Sequence, residues 1–267
     1  MSIYHDVFNT DTLNNPNTSY SKIISYIKGR DINVLDVGCS SGYLGEIIKH
    51  KCLAKVWGID NNQFDVGQAK NKIDRVFYRD LQKTNFQYLP NHHFDYIVLA
   101  DVLEHLTNPK LVLQKLIPKL KPTGHFIISI PNFLHYSIKT KMLSNNWHYT
   151  DYGLLDKTHV HFYGLENFEE LITSCQLHFN QIDFVTSKPL LTDIFQEISQ
   201  NKLPLNFPFV NQFLTPPSFV FQYIAKVSVK KSTNSPTYPP RSFSNSTIFV
   251  QLQIFKIKNF IKNFLKW

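Results

Sequence analysis

VLDVGCSSGYLGE, Val34 to Glu46, is the stretch whose reading decides the fold. Val34, Leu35 and Val37 have the apolar character of a strand, and the acid Asp36 sits among them. A turn of small residues follows, Gly38, Cys39, Ser40, Ser41 and Gly42, and then Tyr43, Leu44, Ile47 and Ile48 take up a helical spacing. A strand, a glycine turn and a helix start together form a nucleotide-binding corner. The glycines let the chain turn sharply and let a ligand approach the main chain. The free N–H groups of the helix start can receive a polar or anionic group. An ordinary strand-to-helix turn and the dinucleotide fingerprint G-x-G-x-x-G are the rival readings, and the rest of the chain has to decide between them.

Working outward, the next three apolar segments each end at or near an acid. KVWGIDNN, Lys55 to Asn62, reads as a second strand ending at Asp60. Asp60 lies 24 positions beyond Asp36, close to the spacing at which an acid after the second strand meets ribose hydroxyls. A carboxylate can accept two hydrogen bonds from a 2′,3′-diol. A nicotinamide enzyme would use the same acid, so Asp60 alone does not choose the cofactor. RVFYRDLQ, Arg75 to Gln82, is a short third strand with Asp80 at its end. FDYIVLADVLEHL, Phe94 to Leu106, contains a continuous apolar run from Tyr96 to Ala100, as a strand buried on both faces would, and then Asp101. Asn108 and Pro109 open a helix expected to run through Leu120, KPTG makes a turn, and GHFIISIPN, Gly124 to Asn132, is the next strand. Upstream, a helix is expected from about Ser19, with Ile23, Ile24 and Ile27 on one face and Gly29 as its stop. Strands alternating with helices imply a doubly wound, mostly parallel sheet with its ligand crevice at the carboxyl ends of the strands. Asp36, Asp60, Asp80 and Asp101 all fall at or near such ends.

Composition agrees with this class. The 267 residues suit one α/β domain with additions, and 43% hydrophobic residues suffice for a packed core. The three cysteines, Cys39, Cys52 and Cys175, make neither a disulfide framework nor a zinc spacing, which favours a reducing compartment. No signal peptide and no apolar run of the ~18 residues needed to span a bilayer are expected. The net charge of +8 suits an anionic substrate or membrane. Without a zinc finger, RNA-stacking motif or early basic block, nucleic acid is not an expected partner.

The loop with its preceding acid resembles motif I of the class I S-adenosylmethionine-dependent methyltransferases, with Ser40 in place of the usual middle glycine. Asp60-Asn61, Asp80-Leu81, LADVLEHL, KPTG and SIPN are similar to the same family. The segment from Asp151 to Phe179, with GLLDKTHVHFYG, resembles methyltransferases of bacterial cell-surface polysaccharide and sugar pathways. The resemblance covers about Tyr20 to Phe179, and FVFQYIAKVSV, Phe219 to Val229, looks like the family's last strand. It implies a seven-stranded Rossmann-like methyltransferase fold of the α/β class. It also implies S-adenosylmethionine as cofactor, held by Asp36, Gly38, Cys39, Ser40, Gly42, Tyr43, Asp60, Asn61, Asp80, Leu81, Ala100 and Asp101. Asp80 would accept from the adenine amino group and the Leu81 N–H would meet a ring nitrogen, while Asp101 would assist the methionine end.

Methyl transfer from a sulfonium is an in-line displacement, so the protein mainly aligns the nucleophile and, for a hydroxyl, helps remove its proton. Histidine titrates near neutrality and suits that task. The candidates are His159 and His161 of THVHFYG, with Asp156 to orient one of them, and His105 beside Asp101. A purely structural role for each is the alternative. No metal-ligand spacing is visible, so metal-dependent transfer of the catechol type is disfavoured. The acceptor expected from the resemblance is a sugar or a polysaccharide or lipid-linked precursor. A quinone-like small molecule, a non-catalytic cofactor-binding or membrane-docking subunit, and a dehydrogenase are the rivals.

Residues 1–230 are expected to form the cofactor-binding domain, with an aromatic and Pro-rich insertion at about 186–218 that could serve as a lid or acceptor-binding segment. Residues 231–247 have linker composition. Residues 248–267 are expected to form a basic amphipathic helix, with Ile254, Ile257, Phe260, Ile261, Phe264 and Leu265 on one face and Lys256, Lys258, Lys262 and Lys266 on the other. Such a helix can lie on an anionic membrane or dock on a second copy of the chain. The expected location is the cytoplasm, with peripheral attachment to the inner face of the membrane and a homodimer as further expectations.

Overall fold

Strand and helix alternate from residue 33 onward as the periodicity requires. The structure is a computed structural model, and it describes residues 14–186, 191–204, 213 and 216–231. Helix α1 spans Ser19–Tyr26, capped by Thr18, whose hydroxyl oxygen accepts from the Ser21 N–H. It buries Ile23 and Tyr26 and stops at Ile27, two residues short of the expected Gly29. Then come β1 (Asn33–Val37), α2 (Tyr43–Cys52), β2 (Lys55–Asp60), α3 (Gln63–Ala69), β3 (Arg75–Tyr78) and β4 (Phe94–Ala100). After a 3-10 turn at Leu103–His105 follow α4 (Pro109–Leu116), β5 (Leu120–Pro131), α5 (Tyr136–Leu143), α6 (Leu165–Ser174) and β6 (His178–Thr186). The last elements are α7 (Leu191–Gln200), α8 (Pro216–Phe219) and β7 (Val220–Ser228).

The seven strands form one sheet in the order β3-β2-β1-β4-β5-β7-β6. Strands β1 to β5 are mutually parallel, and β7 runs antiparallel to β5. This is the doubly wound, mostly parallel sheet with flanking helices that the alternation implied, made mixed by the antiparallel β7. The strand order reverses between β1 and β4, which places a crevice outside their carboxyl ends. Ile97, Val98 and Leu99 of β4 and Val34, Leu35 and Val37 of β1 have no exposed surface, as central parallel strands require. Each such side chain contributes about 1.5–3 kcal/mol by burial.

Three further boundaries differ from the sequence expectation. Helix α4 ends at Leu116 and continues only as a 3-10 turn, Ile117–Lys119, because Pro118 has no N–H to extend the helix. Strand β5 begins at Leu120, where it pairs with Phe94, and KPTG lies within it. The ladder slips register between Phe94 and Tyr96. Strand β3 stops at Tyr78, because the Asp80 carbonyl turns the chain by accepting from the Lys83 and Thr84 amides.

The chain divides into two compact units. Among the described residues, the first unit takes 14–133, 149–185 and 222–231, and every candidate site residue belongs to it. The second unit takes 134–148 together with the described parts of 186–221, so residues 134–148 join the segment expected as an insertion. Within it Thr140 of α5 donates to Glu197 of α7 at 3.3 Å, and Ser144 of α5 donates to Asn201 at 3.0 Å. Among the described residues no helix is long and apolar enough to cross a membrane. The expected linker beyond residue 231 and the amphipathic segment 248–267 lie outside the described residues.

Candidate active site

The glycine loop forms at the end of β1 as its spacing requires. Gly38 and Gly42 have φ of +74° and +78°, and Ser40 also lies in the left-handed region at +45°. A Cβ on Gly42 would come 2.9 Å from the backbone of Ala69, and one on Gly38 would come 2.6 Å from Val102. The second contact packs the loop against the turn that follows β4. The amides of Gly38 and Cys39 donate to the Ile59 carbonyl at 2.8 and 3.0 Å, which fastens the loop to β2. Gly42 then caps α2, and Tyr43 opens it.

Asp60 lies at the other side of this loop. Its Oδ2 accepts from the Ser40 amide at 2.7 Å and its Oδ1 from the Asn62 amide at 2.8 Å. Each oxygen retains lone-pair capacity for a further donor. Asn61 is exposed, while its neighbour Asn62 caps α3 through Phe64 and Asp65. Asp80 is engaged locally: Oδ1 accepts from the Gln82 amide at 2.9 Å, and Oδ2 lies 3.4 Å from Lys83. Leu81 beside it is buried.

Asp36 is buried under the start of α2, where its carboxyl meets the Gly45 amide and Oδ2 has no partner. Burial, and then the nearby Asp60 charge, push its pKa up to about 7. Cys39 is buried in the same place, and burial holds its thiol well above the ordinary range. That makes Cys39 a packing residue of the loop and an inert thiol.

Ala100 ends β4 and Asp101 follows it in a left-handed conformation, φ +55°. Asp101 Oδ1 accepts from the Ser129 hydroxyl at 2.9 Å and from the Gln222 side-chain amide, which aims its carboxylate from β5 and β7. The turn Leu103–His105 then brings a third segment to the same end of the sheet: the Val160 and His161 amides both donate to the Glu104 carbonyl. This pairing seats THVHFYG beside the strand ends.

His105 and His159 meet there, with ring centroids 4.7 Å apart and edge to face. His105 Nδ1 lies 2.8 Å from the Thr158 hydroxyl oxygen. That hydroxyl donates to Asp156 Oδ1 at 2.6 Å. With the hydroxyl proton committed to Asp156, Nδ1 of His105 is assigned the hydrogen, which leaves Nε2 as the acceptor nitrogen. Asp156 therefore orients His105 through Thr158. His159 leans on the Leu154 carbonyl. Burial, and then His105, lower its pKa, so it is neutral near pH 7 and able to take a proton. His161 goes elsewhere: its Nε2 lies 3.3 Å from the Thr107 carbonyl.

The linear reading missed Glu104. It has no exposed surface, and neither carboxyl oxygen has a hydrogen-bond partner. Burial, followed by the charge of Asp101, raises its pKa. Glu104, His105 and His159 each offer a ligand atom within 4.8 Å of the others. The signal available in the sequence was the adjacent Glu-His pair after a strand-end acid; the third member arrives from more than fifty positions away.

A family model described as a methyltransferase domain matches residues 16–178, more than half of the chain. The chain belongs to this methyltransferase domain family. The methyltransferase domain is 29% identical over 141 residues to the mitochondrial ubiquinone biosynthesis O-methyltransferase of Dictyostelium discoideum, covering 47% of this chain and 44% of that one. It is 23% identical over 177 residues to the ubiquinone biosynthesis O-methyltransferase of Rhodopseudomonas palustris, covering 63% of each. The chain thus spans 44% and 63% of the length of these two curated relatives, less than two-thirds of either. The fold is shared with the crystal structure of a SAM dependent methyltransferase from Archaeoglobus fulgidus, at 17% identity and a TM-score of 0.53, covering 82% of this chain and 99% of that one.

Proposed function

We propose that this chain is an S-adenosylmethionine-dependent methyltransferase acting on a hydroxyl oxygen. One observation supports the reading: the glycine loop after β1 packs on Val102 of the segment after β4 that bears Glu104 and His105, so loop and imidazoles belong to the same end of the sheet. The cofactor's adenosine lies along the loop, with Asp60 on the ribose and Asp80 and Leu81 at the adenine. Gly38, Ser40, Gly42, Tyr43, Asn61 and Ala100 complete the cradle, the buried side chains of Asp36 and Cys39 support it from beneath, and Asp101 faces the methionine end. The acceptor oxygen attacks the methyl carbon, the S–C bond breaks, and its electron pair remains on sulfur. The hydroxyl proton passes to an imidazole, the neutral His159 or its neighbour His105, with His161 further out.

The relatives' names favour a quinone-like phenolic acceptor over the sugar or lipid-linked precursor expected from the sequence. The GLLDKTHVHFYG segment is what still supports the sugar reading. Labelled methyl donor offered to a panel of catechols and nucleotide-sugars decides between them. Calorimetry with S-adenosylhomocysteine and with NAD tests the cofactor, and binding of NAD alone would end the proposal. His159→Ala should lower turnover while leaving S-adenosylhomocysteine affinity in place; wild-type rates would clear it as a base. Residues 248–267 would hold the enzyme on anionic membranes, and their deletion should release it from anionic liposomes. A full-length chain that never pellets with such liposomes would refute the attachment.

A further inference from the structure

Among the described residues the least expected group is the Glu104 carboxyl. An acid with no exposed surface and no hydrogen-bond partner on either oxygen is costly to keep, and such groups are rare unless a counter-charge sits beside them. Its own backbone amide offers only a weak opposing pull, and the nearest charges, Asp101 and Asp156, are of the same sign. What does face it is a pair of imidazoles.

We infer that Glu104, His105 and His159 form a binding site for one divalent cation of the zinc type. Three ligand atoms already lie within 4.8 Å of one another. A zinc-type ion holds such ligands at about 2.1 Å, hence about 3.4 Å apart, so small rotamer shifts close the site. The ligand chemistry, two imidazoles and one carboxylate with an open position, is that of a catalytic rather than a structural centre. Both histidines carry the outer support such ligands need. His105 Nδ1 is held by Thr158, itself bonded to Asp156, and His159 is held by the Leu154 carbonyl. In each ring the other nitrogen is left for an ion.

The consequence for the reaction rests on the methyl-transfer reading above. An acceptor hydroxyl bound at the open position would lose its proton to water more readily, because the cation stabilises the oxyanion. That oxyanion then takes the methyl from sulfur with the same breaking of the S–C bond. The histidines would act as ligands and the cation would do the work given above to an imidazole base.

The test uses the untagged full-length chain, stripped with a chelator and returned to metal-free buffer. Zn²⁺ is titrated by calorimetry and Co²⁺ by visible absorption. One cation per chain is expected, with affinity at least tenfold weaker in Glu104→Gln and in His159→Ala. Each variant is checked for fold by circular dichroism, so either can decide if the other does not fold. A wild-type chain that takes up neither ion, or folded variants that bind as wild type does, would overturn the site. S-adenosylhomocysteine titrated into the same samples separates the two claims. Cation uptake without it keeps the site and removes the reaction, whereas binding of it without cation uptake removes the site and returns the proton to an imidazole.

Discussion

The Ser40 amide donates to Asp60 Oδ2 at 2.7 Å, so the acid that ends the second strand is tied to the glycine loop that follows the first. The proposed ribose ligand and the loop that would carry the rest of the cofactor are thus one assembly. Asp60→Ala should weaken S-adenosylhomocysteine binding by about 10–100-fold, the range for hydrogen bonds to a charged group. Calorimetry measures this, and unchanged affinity would remove the ribose role.

Asp36 makes stability depend on pH in a particular sense. Its folded pKa, pushed up to about 7 by burial and Asp60, exceeds its unfolded value near 3.8, so the folded state binds the proton more tightly. Its contribution is complete below about pH 4 and is lost as pH rises through about 7, by as much as about 4 kcal/mol. Melting temperature against pH, compared with Asp36→Asn, checks this. The difference between the two curves should grow between those limits, and parallel curves would refute it.

Gly42→Ala should both destabilise the domain and block the loop. The residue has φ +78°, and its Cβ would meet Ala69 backbone at 2.9 Å. A loss of about 1–3 kcal/mol follows from strain of this kind, read as a drop in denaturant midpoint. Gly67, where a Cβ meets nothing within 4 Å, provides the control: Gly67→Ala in α3 should be neutral or stabilising.

Thr158→Val keeps the shape but removes the hydroxyl between Asp156 and His105. Turnover should fall about tenfold or more, as for other outer partners of a functional histidine, with S-adenosylhomocysteine affinity intact. A purely structural Thr158 would lower the melting temperature without moving the pH profile of the rate, and Thr158→Ser should restore the rate.

Alternation of buried strands with amphipathic helices, punctuated by Gly38, Gly42 and Pro109, was readable because each is a local pattern of period and turn chemistry. The sheet, its parallel core and the row of strand-end acids follow from that pattern alone. Where local rules competed, the boundaries moved. Pro118 cut α4 short, and the partner strand drew Leu120 into β5 ahead of the turn that KPTG suggested. What the chain does with its acids was less legible. Asp60 and Asp80 looked alike in sequence, yet Asp60 bridges to the loop while Asp80 closes its own turn.

Tertiary structure alone decided the polar end of the crevice. No spacing rule brings Thr158 and His159 to Glu104 and His105, since more than fifty residues intervene; the Val160 and His161 amides do so by donating to the Glu104 carbonyl. The same packing that joins these segments also seals the Glu104 carboxyl from water. The burial of that carboxyl without a hydrogen-bond partner on either oxygen is therefore a property of the assembled fold, which the order of the residues could not display.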